Sequence, residues 1–493
     1  MRRQEKWVLF FLLFFFLVIR LYHLDLPPLE IEESWRQADT ESMAWNFANY
    51  DFNPFHPNLN YDGPLPNIPA LEIQVTTYII AILYKLFGHH YFLARMVPLT
   101  FFLLSVVYLY LFVRMYLSGR GAVFSLLIYG ILPINVYYSR AIMPESAALM
   151  FSIGGLYYFN IWVNGKEATL VGQTSFKVYL NLILSSVFLS LAIMTKPPVV
   201  FIALPMFYLC FQNFKWQWLK FPELWKYALV TLGLPLGYYF FSGRLAEHKF
   251  TLGISRDIVL KNALTAFYSQ EAFLFFAGNI PKTLGITALF LAFLGLPLVT
   301  KRQSVILVWF GAMLLEVIFI VSPIRATYYL IFFIVPCALL IGNLLERILG
   351  GFRGKRWGTQ IAAVVMAALI LSIALESFYQ VKPMFKINRH MVNQVKVVQE
   401  ITAQDDLLVI GALEPCLLSL TDRRGWRYNL RNYSYVPEDP YEELNYYIAR
   451  GAKYFVPIQG KVYGDRDGKI MAYIEETYPK IETVEGYPIY ALR

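Results

Sequence analysis

Charged residues are scarce in this chain of 493 residues. Asp, Glu, Lys and Arg together make up 16% of it, whereas hydrophobic residues make up 57%. A soluble globular protein carries about a quarter charged residues, so the composition excludes that class and predicts a polytopic α-helical membrane protein. A helix needs roughly 20 apolar residues to cross a bilayer, which gives about eleven spans. They lie at approximately 7–22, 92–114, 121–138, 147–163, 178–194, 198–213, 226–241, 283–300, 303–321, 327–346 and 360–378.

Cysteine is also rare. Cys210 and Cys337 fall in apolar spans and Cys416 stands alone, so neither a disulfide framework nor a cysteine metal cluster is indicated. No small-residue cleavage site follows the apolar run 7–22, which predicts a retained helix and not a signal peptide. The net charge of +9 does not indicate a nucleic-acid partner, because most Lys and Arg residues lie in short loops between spans.

The basic residues predict the orientation of the chain. The start MRRQEK and the loops that hold Arg114 with Arg120 and Lys301 with Arg302 are basic, as cytoplasmic segments are. Counting the apolar run 73–87 as a span would move the later basic loops outside, so we interpret it as an interfacial helix. A first extracytoplasmic loop then covers 25–91. A second one covers 242–282 and is expected to include a surface helix.

The composition changes at about residue 380. Residues 1–379 form the predicted membrane domain, and residues 380–493 are polar with short apolar runs at 407–412, 453–457 and 487–492. Helical patterns between these runs predict a small α/β domain. An odd number of crossings places that domain outside the cytoplasm.

The first extracytoplasmic loop begins with an acidic segment, EIEESWRQADTESMAWNF. Ionisable groups held against a bilayer usually mark a functional site. If residues 32–47 form a helix, Arg36 and Asp39 lie one turn apart, where Arg36 can hold the Asp39 carboxylate ionised. An ionised carboxylate beside a membrane-facing cavity can act as a general base on a hydroxyl group. The alternative is a solvated acidic helix at the lipid surface. The carboxylates of the segment are Glu30, Glu32, Glu33, Asp39 and Glu41.

Three later outward turns each carry a basic residue. Arg140 and Glu145 lie in SRAIMPES, Lys196 lies in TKPP, and Arg325 precedes Tyr328 and Tyr329. Together these turns can surround a lipid phosphate. Each also has a simpler explanation: Glu145 favours the dipole of the helix that it begins, Lys196 can snorkel, and the tyrosines fit an aromatic belt.

The order and spacing of several motifs resemble the GT-C membrane glycosyltransferases. The branch is the bacterial one that is similar to dolichyl-phosphate-mannose protein mannosyltransferases and lipid A aminoarabinose transferases. The resemblance covers roughly residues 1–380. Its motifs are WRQADTESMAWNF, LYKLFG, ARMVP, SRAIMPES, TKPP and the RATYY run near the tenth span.

The resemblance implies site residues. Asp39 corresponds to the acid of the first loop, and Glu145 to the acid after the second outward turn. Lys196 and Arg325 are implied to hold the phosphate of a lipid. Better-known relatives begin the loop with an Asp-Glu pair where this chain has Arg36-Gln37, so Glu32 or Glu33 is an alternative working acid. Those relatives also carry Glu-Lys-Pro-Pro before the interfacial helix, where this chain has NIPALE with Glu72 and no lysine.

The resemblance also implies a reaction. The expected donor is a sugar on a polyprenyl phosphate, transferred with inversion to a lipid, glycan or protein acceptor outside the membrane. The expected location is the inner (plasma) membrane. No cofactor is required, because the leaving group is already a good one, although the carboxylates permit a divalent metal. The competing hypotheses are a lipid-linked sugar transporter, which should show internal repeats and broken helices, and a non-catalytic envelope assembly subunit.

These inferences assign the candidate residues. Asp39, Glu33 and Glu145 are the predicted catalytic acids. The residues predicted to bind substrate are Arg36, Glu72, Arg140, Lys196, Arg325 and Tyr328.

Overall fold

A computed structural model describes residues 3–169, 176–246, 253–352, 357–431, 436–481, 483 and 486–493. The helices up to residue 245 are α1 (Arg3–Val18), α2 (Ser34–Asn49), α3 (Val75–Phe87), α4 (Tyr91–Val113), α5 (Gly119–Ile131), α6 (Pro133–Tyr138), α7 (Glu145–Thr169), α8 (Phe176–Thr195), α9 (Ala203–Phe214) and α10 (Pro222–Leu245). The later helices of the membrane domain are α11 (Gln270–Leu284), α12 (Ile286–Gly295), α13 (Ser304–Glu316), α14 (Ile334–Gly351) and α15 (Gly358–Met384).

Helix length and hydropathy support the membrane class. Among the described residues, seven helical segments are long and apolar enough to cross a bilayer, and a bent pair is an eighth candidate. The predicted spans 7–22, 121–138 and 226–241 are helical but lie outside this set. The polytopic helical class is therefore confirmed, and the total of about eleven crossings stays a prediction. The seven segments are Tyr91–Val113, Glu145–Glu167, Phe176–Thr195, Pro197–Lys220, Lys301–Ile324, Thr327–Gly351 and Gly358–Met384.

Two helices fit the surface positions expected of them. Helix α3 has 13 residues and is about 20 Å long at 1.5 Å per residue, too short for a hydrocarbon core of about 30 Å. It buries Ile80 and exposes Leu86 and Phe87. Helix α11 meets the following helical segment at 88° and supplies the surface helix expected within 242–282, of which residues 247–252 lie outside the described residues. The position of both helices at the interface stays a prediction.

The C-terminal domain is a small α/β unit, as predicted. Its elements are α16 (Arg389–Ile401), β1 (Leu407–Ile410), α17 (Cys416–Thr421), β2 (Arg424–Arg427), α18 (Pro440–Ala449), β3 (Ala452–Val456), α19 (Lys469–Thr477), β4 (Lys480–Ile481) and β5 (Ile489–Ala491). The sheet has the order β2-β1-β3-β5-β4, in which β1 is parallel to both neighbours and β5 is antiparallel to β3 and β4. The three predicted strands are β1, β3 and β5. Strand β2 was not predicted, because its sequence RGWR has no apolar run.

The C-terminal domain packs on the first extracytoplasmic loop. Leu59 and Leu71 of the loop share an apolar core with Val398 and Leu417 of the domain. At the edge strand β2, the backbone N–H of Gly425 donates to the Asn60 carbonyl (3.2 Å), and that of Gly63 donates to the Gly425 carbonyl (3.1 Å). A Cβ atom at residue 425 would lie 1.8 Å from the Leu408 carbonyl oxygen. Only glycine therefore fits where the loop extends the sheet.

The orientation can be tested with single cysteines. The native cysteines are all buried, so they give little background with a membrane-impermeant maleimide. Lys461 of the C-terminal domain and Lys301 of a predicted cytoplasmic loop are both exposed. In sealed right-side-out vesicles we expect Lys461→Cys to react and Lys301→Cys to react only after detergent is added. The reverse pattern would overturn the predicted orientation.

Candidate active site

A cavity of about 550 Å³ opens between the first extracytoplasmic loop and the membrane helices. Its walls come from the start of α2, the loop at 59–72, the turn at 196–200, the helical segments at 254–259 and 320–324, and the tyrosines at 328–329. Six of the nine predicted site residues line it: Glu33, Arg36, Asp39, Glu72, Lys196 and Tyr328. Arg140, Glu145 and Arg325 are not among its lining residues.

Helix α2 carries the acidic segment but does not lie in solvent. Residues 37–44 are all buried, including Gln37, Asp39 and Glu41. The alternative of a solvated acidic helix is therefore wrong. Hydropathy could not reveal this, because the helix is buried by its contacts with α3 and the C-terminal domain and not by apolar residues of its own.

Asp39 lies on the cavity-facing side of α2. The phenol of Tyr61 donates a hydrogen bond to Asp39 Oδ2 at 3.1 Å. Burial raises the pKa of Asp39 to about 7, although the nearby charge of Arg36 opposes the shift. A carboxyl with a pKa near the working pH suits a general base. Tyr61 was missed by the sequence analysis, since nothing in its surroundings marks it.

Arg36 pairs with a different acid from the one predicted. Its guanidinium forms an ion pair with Glu72 across the cavity wall, and the expected Arg36–Asp39 ion pair does not form. The expectation of an Asp39 held ionised by Arg36 is therefore wrong, because burial outweighs the attraction and raises the pKa of Asp39. The one-turn spacing on α2 suggested the pair, whereas the fold brings Glu72 closer.

Glu33 is a second acid of the cavity. It precedes α2 in the left-handed conformation (φ 56°), which is uncommon for a residue other than glycine. Burial, with the charges of Glu32 and Glu145 nearby, raises the pKa of Glu33 to about 7. Two carboxyls of the first loop, Asp39 and Glu33, therefore have a pKa of about 7, which suits a general base.

Lys196 supplies the positive charge of the cavity. Its ammonium group lies 2.6 Å from Glu145 Oε1 and over the rings of Tyr328 (4.8 Å) and Tyr329 (5.1 Å). Because Lys196 is only 4% exposed, it does not snorkel to the interface. Glu145 is fully buried at the first position of α7, so it reaches the cavity through Lys196.

Arg140 and Arg325 lie elsewhere. Arg140 is buried, pairs with Glu30 at 3.5 Å and donates to the His23 carbonyl at 2.9 Å. Arg95, which the sequence analysis did not single out, pairs with the same Glu30 at 2.7 Å. Arg325 is exposed at the end of a helical turn, with φ 57°. The phosphate contacts expected of Arg140 and Arg325 stay predictions.

Among the described residues, no group of three or more His, Cys, Asp or Glu side chains has a geometry that could hold a metal ion. Of the cavity carboxylates, Glu72 is engaged by Arg36.

Replacing Asp39 should stabilise the protein in a pH-dependent way. The pKa of Asp39 in the folded protein, about 7, lies above its ordinary value of 3.8, so the folded state loses stability as the pH rises from the lower value to the higher one. We expect Asp39→Asn to raise the melting temperature by about 2–4 °C at pH 8.5, with a smaller gain at pH 5.5. Equal gains at both values would contradict a buried, titrating carboxyl. Thermal unfolding in detergent provides the measurement.

The Lys196–Glu145 pair should behave as a buried ion pair. Removing one partner leaves an uncompensated buried charge, which costs about 3–5 kcal/mol. Lys196→Met or Glu145→Gln alone is therefore expected to lower the melting temperature sharply, whereas the double variant should recover most of it. Additive losses in the double variant would show that the two residues act independently.

Known proteins resemble this chain both in sequence and in structure. A family model described as dolichyl-phosphate-mannose-protein mannosyltransferase matches residues 10–244. No curated protein sequence gives a significant match. The archaeal oligosaccharyltransferase AglB from Archaeoglobus fulgidus, solved with an inhibitory peptide and a dolichol-phosphate, superposes with a TM-score of 0.67 at 12% identity, over 100% of this chain and 74% of that one.

ArnT from Cupriavidus metallidurans, solved with undecaprenyl phosphate, superposes with a TM-score of 0.64 at 14% identity, over 99% of this chain and 98% of that one. At these identities the superpositions establish a common fold. The family match at residues 10–244 covers a little under half of the chain, so this part of the sequence is similar to the dolichyl-phosphate-mannose-protein mannosyltransferases.

Proposed function

We propose that this protein is a glycosyltransferase, which moves a sugar from a polyprenyl-phosphate donor to the hydroxyl group of an extracytoplasmic lipid, glycan or protein. The observation that carries the proposal is that two groups of opposite kind line the same cavity of about 550 Å³. Asp39, a carboxyl with a pKa of about 7, can accept a proton from the acceptor hydroxyl. Lys196, a buried ammonium group, can bind the phosphate of the donor. The solved structures with dolichol-phosphate and undecaprenyl phosphate support a donor of this class.

The donor occupies the side of the cavity formed by Lys196 and the tyrosines. An ammonium group has three donors; Glu145 takes one, and the others are available to the phosphate. Glu145 thereby holds the Lys196 side chain in place. Ile320 and Ile324 line the same cavity and provide apolar surface for the first isoprene units. The charge of Lys196 stabilises the phosphate as the bond to the sugar breaks.

The acceptor approaches on the side of Asp39. Ionised Asp39 accepts the proton of the acceptor hydroxyl, whose oxygen forms a bond to the anomeric carbon as the carbon–oxygen bond to phosphate breaks. The electron pair of that bond leaves with the polyprenyl phosphate. Attack from the side opposite to the leaving group inverts the anomeric centre. Tyr61 fixes the carboxylate by its hydrogen bond to Oδ2.

Release of polyprenyl phosphate tests the proposal. Protein in lipid nanodiscs is given a panel of polyprenyl-phosphate sugars and a membrane-lipid extract as acceptor. We expect one donor to release polyprenyl phosphate, and Asp39→Asn to reduce release by about 10²–10⁴-fold, the usual contribution of a general base. Asp25→Asn is the matched control, since Asp25 is an exposed acid of the same loop outside the cavity.

Two outcomes would contradict the proposal. Equal turnover by Asp39→Asn and the unmodified protein would remove Asp39 from the reaction. If no donor releases polyprenyl phosphate and none binds to the unmodified protein, a polyprenyl-phosphate sugar is not the donor.

A further inference from the structure

The C-terminal domain reaches the active site through strand β2. We propose that Arg427 of this strand is a positioning residue for sugar transfer, which holds Tyr61 and the Asp39 carboxyl in the arrangement that the reaction needs. The inference rests on the proposed function, since it assumes that Asp39 is the base. It assigns the C-terminal domain a part in catalysis, although none of the domain's described residues is among those that line the cavity.

Arg427 is clamped to the first loop by two parallel hydrogen bonds. Its Nε and Nη2 atoms donate to the two carboxylate oxygens of Asp62 at 3.0 and 2.6 Å, and Nη1 donates to the Leu413 carbonyl at 2.9 Å. Both side chains of the ion pair are only 4% exposed. A bidentate pair of this kind fixes geometry as well as charge, so Arg427 sets the position of the loop at Asp62.

The same guanidinium packs on two aromatic side chains of the cavity. Its central carbon lies 4.6 Å from the centre of the Tyr61 ring and 5.2 Å from that of Trp35. Tyr61 in turn donates its hydroxyl proton to Asp39, and both rings line the cavity. A continuous chain of contacts therefore runs from Arg427 through Tyr61 to the carboxylate.

The charge of Arg427 also acts on Asp39 directly. Its attraction lowers the pKa of Asp39, against the larger effect of burial. Removing that charge must raise the pKa further, so less of the base is ionised at neutral pH. Other charged and titratable groups surround the Asp39 carboxyl. The first loop contributes Arg36, Glu33, Glu72, Tyr61 and Asp62, the membrane domain contributes Lys196, and the C-terminal domain contributes Glu414 and Cys416.

Arg424 provides a matched control on the same strand. It contacts the same helix α2, by a hydrogen bond to Asn46 at 3.3 Å and by packing over Trp45 at 5.6 Å. The hydrogen bonds of Arg424 to Asp422 and Asn46 and its ring contact with Trp45 differ from the contacts of Arg427 with Asp62 and Tyr61. Loss of Arg424 is therefore expected to weaken the docking of the domain while the Arg427–Asp62 ion pair and the Arg427–Tyr61 contact remain.

The experiment compares pH profiles of kcat in the release assay for Arg427→Gln, Arg427→Lys, Asp62→Asn and Arg424→Gln in the full-length protein. We expect Arg427→Gln to move the rising limb of the profile upward by about one pH unit and thereby to lower kcat at pH 7 by about fivefold, with recovery at pH 9. Arg427→Lys should keep the midpoint near its normal value. Arg424→Gln should keep a normal midpoint whatever its effect on melting temperature.

Hydrogen–deuterium exchange supplies a readout that needs no activity. If Arg427 positions the loop, residues 57–63 exchange faster in Arg427→Gln and in Asp62→Asn than in Arg424→Gln. An unchanged midpoint in Arg427→Gln, while Asp39→Asn is inactive, would overturn this inference and leave the proposed function intact. If the unmodified protein shows no transfer, the proposed function fails, and unchanged exchange at 57–63 would overturn the positioning role as well.

Discussion

Burial of charge governs this structure. The first extracytoplasmic loop is polar and acidic, yet it lies beneath the C-terminal domain and against the membrane helices, so its ionised groups require partners of opposite charge. The loop supplies one such pair itself and finds three further arginines in other parts of the chain. Arg36 pairs with Glu72, Arg95 and Arg140 share Glu30, and Asp62 pairs with Arg427. These pairs fix where the loop lies, and the cavity is the space that they leave.

The same constraint separates structural carboxylates from reactive ones. Glu30 and Glu72 are engaged by arginines, as befits groups that hold the loop in place. Asp39 has a hydroxyl donor in Tyr61, and its pKa near 7 reflects burial that is only partly compensated. The burial that destabilises ionised Asp39 in the folded state also leaves a carboxyl that can take up a proton near neutral pH, as the proposed role of general base requires. A cavity lined entirely by satisfied ion pairs would be more stable and would have nothing to accept a proton.

Hydropathy predicted the membrane helices and the small α/β domain because bilayer thickness and strand burial leave marks in local sequence. Charged groups next to membrane spans pointed to Glu33, Arg36, Asp39 and Lys196 of the cavity wall, and the family resemblance pointed to Glu72. Pairings between distant segments left no such mark: Lys196 with Glu145 and Asp62 with Arg427 depend on packing that joins parts of the chain 51 and 365 positions apart. Where local spacing was used to predict a partner, as for Arg36 and Asp39, tertiary structure supplied a different one.

The bond between Asp62 and Arg427 also bears on how the protein is made. Domains usually fold in order as the chain emerges during synthesis, so the membrane helices and the acidic loop are in place long before strand β2 exists. Until β2 is made, Asp62 and Tyr61 of the loop lack their contacts with Arg427. Arg427 holds the loop in place only when the last quarter of the polypeptide has docked on it. An unfinished chain therefore has the membrane helices but lacks the contacts of Arg427 with Asp62 and Tyr61 that fix this part of the cavity wall.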